Sequence, residues 1–187
     1  MKSLRSYALL IAGAFLPATL VVLIFNTGEE PTLPLPCREV LRSVFDSYFT
    51  MQKMLANDNA AGALAARMRL EWSTAELDAV EFPAKNDYRA AKWREVRSYL
   101  QGIPSYGKGD NIASLRADFA YLSDVMINVV QMVGHGHPMP LYAFYCPMAF
   151  GNTGGAWLQD NNQISNPYFG KEMLECGRLD GTFPPGK

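Results

Sequence analysis

Apolar side chains return every third or fourth residue along the first half of the chain. Val40, Leu41, Val44, Phe45, Tyr48, Met51 and Leu55 predict an amphipathic helix over about 38–56. Asn57, Asp58 and Asn59 break it, and any of them can cap a second, alanine-rich helix whose apolar positions are Leu64, Ala65, Met68, Trp72, Ala75 and Leu77. Phe82-Pro83 ends that helix. A third helix is predicted over about 87–100, with Tyr88, Ala91, Val96, Tyr99 and Leu100 facing inward and Arg89, Lys92, Arg94 and Arg97 outward. After the turn chemistry of GIPSYGKGD, Asp110 is placed to cap a fourth helix carrying Ile112, Leu115, Phe119, Leu122, Met126, Val129 and Val133, closed by Gly134.

Past Gly134 the period changes. His135-Gly136-His137-Pro138-Met139-Pro140 reads as a loop, and 141–145 is a short aromatic-rich run that suits either a strand or an extended cover on the helices. Gly151, Gly154 and Gly155 mark a turn, and Asn166-Pro167 matches the cap and first position of a short helix that Gly177 closes. The expected fold is therefore all-α: an antiparallel four-helix bundle with a C-terminal loop-rich segment carrying a short helix. The last residues, 181–187, read as a frayed tail.

Ahead of the bundle, Lys2 and Arg5 precede an apolar run over 7–25, the length needed to span a bilayer. It predicts an N-terminal transmembrane helix over 1–26, oriented with the basic end in the cytoplasm and the rest of the chain in the periplasm. Because IFNTGEEP offers no good small-x-small site, an uncleaved anchor in the inner membrane is preferred to a cleaved signal. Prolines 31, 34 and 36 make 27–37 a stiff spacer, leaving 38–180 as the single domain. A net charge of -1 gives no bulk attraction to nucleic acid, which is excluded as a partner.

The chemistry concentrates in YAFYCPMAFGNTGGAWLQDNNQISNPYFGKEMLECG, which holds two of the three cysteines, each close to a methionine. Cys146 and Met148 flank a proline that fixes their turn, and Met173 and Cys176 are spaced to share one face of a helical turn. Thiolate and thioether are soft ligands suited to Cu(I) or Ag(I), so the four sulfurs form a candidate metal site. The same cysteines can instead close a disulfide across a loop of about 30 residues, contributing roughly 3 to 4 kcal/mol on the chain-entropy model. A redox-active pair is the third reading, without a CxxC spacing or a basic neighbour to support it. His135, His137 and Met139 make a second constellation able to reach one ion, set against a plain solvated loop. Cys37 reads as an unpaired or intermolecular thiol. The paired acids Glu71/Glu76 and Glu172/Glu175 lack a nucleophile or cleft to serve, and no enzymatic activity is expected.

At YCPMAF, WLQ, NPYFG and MLECG the sequence resembles an exported domain family of unknown function, with the likeness covering about 40–179. Members of that family occur as free-standing proteins and as extensions on the periplasmic adaptor subunits of copper- and silver-type heavy-metal efflux systems. The resemblance implies a periplasmic helical domain linked to heavy-metal handling, with an efflux adaptor or a periplasmic metal carrier as partner. This chain lacks the hairpin, lipoyl and barrel segments of those adaptors. The leading expectation is a membrane-anchored protein that buffers or hands over Cu(I) or Ag(I). The alternative is a structural interaction domain stapled by a Cys146–Cys176 disulfide.

Overall fold

The computed structural model describes residues 33–83, 87–103 and 109–186. Helix α1, Leu35–Ala56, begins directly after Pro34 and presents one continuous buried face from Cys37 through Leu55. Asp58, in the left-handed region at φ 59°, turns the chain back, and Asn59 accepts a hydrogen bond from the Gly62 N–H to open α2, Ala60–Ala75. The two helices run back to back, joined across their interface by the hydroxyls of Ser43, Ser47 and Ser73. Helix α3, Tyr88–Gln101, is capped by Asp87. Helix α4, Ile112–Val133, is capped by Asn111 rather than Asp110, its side chain accepting from the Ser114 N–H.

Two of the four helices bury a set of residues that differs in part from the one their sequence suggests. Helix α2 buries Ala63, Ala66 and Leu70 and leaves Met68 and Trp72 61% and 77% exposed. Helix α3 buries Ala90, Trp93, Val96 and Leu100, with Tyr88 and Tyr99 outside. In α2, small alanines allow the neighbouring backbone to approach, so packing selects the close-fitting face over the bulkier one, whereas α3 keeps the expected Val96 and Leu100 inside and adds Trp93, among the largest buried side chains.

The chain is not all-α. Strands β1 (Leu141–Cys146), β2 (Gly155–Gln159) and β3 (Arg178–Phe183) form an antiparallel sheet in the order β2-β1-β3. The fold is mixed, with a helical majority. Between β1 and β2 lies a four-residue turn, α5, Ala149–Asn152, in which Phe150, Gly151 and Asn152 all have positive φ. β2 hides from a periodicity reading because it is five residues long and buries three in succession, Trp157, Leu158 and Gln159. β3 hides for the opposite reason: an edge strand with its first three residues exposed looks like a polar tail. Nor does the expected helix before Gly177 form. Gly170 at φ 62° and Met173 at φ -144° interrupt it, leaving only a 3-10 turn, Gly170–Glu172. The tail is tied down to Gly186, whose N–H donates to His137 O at 2.7 Å.

Three strands alone hold little core, and the sheet and the turns beside it are fastened to the helices by polar bonds, those of Tyr48 buried. Tyr48 Oη on α1 accepts from the Leu158 N–H at 3.0 Å and pairs with Ser123 of α4 at 2.8 Å, while its ring stacks on Phe119. Gln52 Nε2 donates to Ser165 O at 2.6 Å, and Lys53 pairs with Asp160 at 2.5 Å. Arg116 of α4 donates to Pro167 O at 2.9 Å and to Asp58 Oδ1 at 2.6 Å. Among the described residues no helix is long and apolar enough to cross a membrane. The expected transmembrane helix lies outside the described residues.

Candidate functional site

Cys146 is the last residue of β1, opposite Gly155 of β2, and has no exposed surface. Pro147, which has no N–H to give the ladder, ends the strand there. Cys176 arrives from the other direction, just before β3. Its N–H donates to Met173 O at 3.0 Å, and its own carbonyl accepts from Asn166 Nδ2 at 2.6 Å. Gly177 follows at φ 143°, where a side chain would meet Ile164, the Trp157 ring and Tyr145 O at 2.9 to 3.1 Å. A side chain at that position would hold the turn away from β1, so glycine there admits Cys176 to its partner. The two sulfurs lie 3.0 Å apart.

That separation is longer than the roughly 2.05 Å of a disulfide, and the two sulfurs, like that of Cys37, are unbridged in this structure. The hydrogen bond with Cys146, and burial after it, raise the Cys176 thiol above its ordinary value. It is therefore protonated at neutral pH, and binding a soft cation would release its proton. Met148 stands two residues beyond Cys146 and is 47% exposed; Met173 is half-buried. Among the described residues no three His, Cys, Asp or Glu side chains converge. An ion between the thiols would complete its shell with thioether or solvent.

The histidine constellation sits elsewhere. His135 is buried, its Nδ1 accepting the His137 N–H at 3.2 Å and its Nε2–H donating to Pro184 O at 2.8 Å, so both ring nitrogens are engaged. His137 Nε2 lies 3.1 Å from Asp46 Oδ1, out of line for a hydrogen bond. Burial holds both imidazoles below the usual histidine value. Met139 is exposed. These residues precede Leu141, at the opposite end of β1 from Cys146, and five strand steps put the two groups about 17 Å apart. The fold thus brings Cys146 to Cys176, with Met148 and Met173 as chain neighbours, and does not bring His135, His137 and Met139 to them.

Two positioning residues were not evident from the sequence. Asn166, expected as a helix cap, is a wholly buried hub whose Oδ1 also accepts from the Tyr168 and Phe169 N–H groups at 2.8 and 3.2 Å. Gln159, equally buried, accepts from Trp157 Nε1 at 2.8 Å and the Ser165 N–H at 2.9 Å and donates to Gln163 O at 2.7 Å. The signal for both was amide side chains set among aromatics, where a buried amide must find partners. Cys37, expected as an unpaired or intermolecular thiol, is unpaired and sealed inside the first turns of α1, and burial raises its thiol.

No curated protein and no solved structure matches the chain significantly. A family model described as "Protein of unknown function (DUF3347)" matches residues 44–137, 94 of the 187, from α1 to the histidine loop and short of both site cysteines. The chain belongs to that family.

Proposed function

We propose that this protein binds a soft monovalent ion, Cu(I) or Ag(I), through Cys146 and Cys176 with Met148 and Met173 completing the shell, and buffers it or hands it to a periplasmic carrier or efflux adaptor. The observation that carries the reading is the 3.0 Å approach of two thiols from separate segments, each next to a methionine. The likeness of YCPMAF, NPYFG and MLECG to domains found on copper and silver efflux adaptors supports the choice of ion and partner. Transfer needs only ligand exchange, an incoming sulfur displacing one of the resident four. His135 and His137 are left out of the ligand set because they stand at the far end of β1.

The test is anaerobic titration of the reduced full chain with Cu(I) against a competing chelator. One ion per chain is expected, lost in the Cys146→Ser, Cys176→Ser double variant. Replacing Met148 and Met173 by alanine should weaken binding roughly tenfold or more, equivalent to about 1.4 kcal/mol of thioether contact. Equal binding by wild type and the double cysteine variant sinks the reading. The second reading is a disulfide staple without metal, favoured by the same 3.0 Å approach. Cysteines that remain bridged and refuse metal after mild reduction would select it.

A further inference from the structure

The two sulfurs of the pair are unequal in a way neither reading uses. Cys146 has no exposed surface and ends the central strand, opposite Gly155 of β2. Cys176 lies outside regular structure and is partly exposed. We propose that the pair is a directional thiol–disulfide exchange centre, in which Cys176 is the entry sulfur that meets a low-molecular-weight disulfide and Cys146 is the resolving sulfur behind it.

The Cys176 thiol gives up its proton, and its sulfur attacks one sulfur of the incoming disulfide. That S–S bond breaks, a mixed disulfide forms on Cys176, and one reagent thiolate leaves. Cys146 then loses its proton and attacks Cys176 Sγ, which stands 3.0 Å away, within the distance at which reacting atoms are already placed. The mixed bond breaks, the Cys146–Cys176 disulfide forms, and the second reagent thiolate leaves. Two protein thiols are oxidised and one reagent disulfide is reduced to two thiols. The order cannot be inverted without opening the sheet, because a reagent can reach Cys176 but has no path to Cys146.

The chemistry needs no metal, so it stands or falls separately from ion binding. The reduced, chelator-treated full chain is incubated with glutathione disulfide at pH 8, quenched in acid and peptide-mapped. Wild type should gain the Cys146–Cys176 bond and release two glutathione thiols per chain, with Cys37 untouched as an internal control. Cys146→Ser should hold glutathione on Cys176. In Cys176→Ser, Cys146 should react at least about tenfold more slowly than Cys176 does in Cys146→Ser. A brief alkylation of wild type by substoichiometric iodoacetamide decides the matter without any variant: label on Cys176 over Cys146 by about tenfold is expected. Equal labelling, faster reaction at Cys146, or no Cys146–Cys176 bond in wild type would overturn the proposal.

Discussion

Gly170→Ala is the sharpest test of how the C-terminal module is held, because two separable costs meet at that residue. Gly170 has φ 62°, a conformation that costs an L-residue roughly 1 to 2 kcal/mol. A methyl group there would also overlap Asp58 Oδ1 and Arg116 Nη2, which pair with each other directly beneath the glycine. Moving either disturbs Asp58 Oδ2, which accepts the Lys171 N–H at 3.1 Å, and Arg116, which donates to Pro167 O at 2.9 Å and Leu55 O at 3.3 Å. Asp58 is 40% exposed, so the ion pair itself is discounted, and about 2 kcal/mol is assigned to the combined loss. The total is about 3 to 4 kcal/mol, or roughly 6 to 16 °C in Tm for a chain of this size. Gly151 provides the control: its φ is 66°, yet nothing lies within 4 Å of a added methyl, so Gly151→Ala should lose only about 1 kcal/mol. Urea unfolding of the two variants, followed by tryptophan fluorescence, measures the difference. If Gly170→Ala is no less stable than Gly151→Ala, the Asp58–Arg116 fastening is not what holds the NPYFG turn.

Tyr48→Phe removes one oxygen and strands two buried partners, the Leu158 N–H and the Ser123 hydroxyl, so a loss of about 2 to 4 kcal/mol is expected. Hydrogen exchange should show the Leu158 amide losing protection, and an unchanged amide would contradict the assignment. The pH profile follows from the histidines: burial lowers His135 and His137 below their unfolded value of 6.5, so the unfolded chain binds protons more readily. Stability should be flat above that value and fall as pH drops from about 6.5 toward 5, with the decline reduced in His135→Gln; stability that rises over that interval would refute it.

What could be read from the chain depended on how strongly each element announced itself. Helices α1 and α4 were legible because long side chains repeat at helical spacing and Gly134 marks the end of α4. The facing of α2 was not, because alanine appears on every side of it and the large residues Met68 and Trp72 draw the eye to the face that packing leaves outside. The approach of Cys146 to Cys176 was legible as a pairing of sulfur-bearing turns. Its mechanism was not: the expected helical turn is absent, and convergence depends instead on Gly177 and on Asn166 gripping the Cys176 carbonyl. The histidines misled because proximity in sequence says nothing about which nitrogens the fold has already engaged, and Pro184, which engages His135, lies 49 residues downstream.

The division of labour along the chain follows from the size of the sheet. Strands of six, five and six residues bury too little to stand alone, so the position of the sulfurs is decided by whatever grips the sheet from outside. Those grips are Tyr48, Gln52 and Lys53 on one stretch of α1, Asp58 in the turn after it, and Arg116 on α4. All five lie within residues 44–137, the part matched by the family model, while Cys146 and Cys176 lie beyond it. The helical half therefore acts as the clamp for the half that carries Cys146 and Cys176. A substitution on a helix far from the paired cysteines in sequence, such as Tyr48, 98 residues before Cys146, or Arg116, 30 before it, bears on the 3.0 Å approach through these bonds, as one in the turn beside it does.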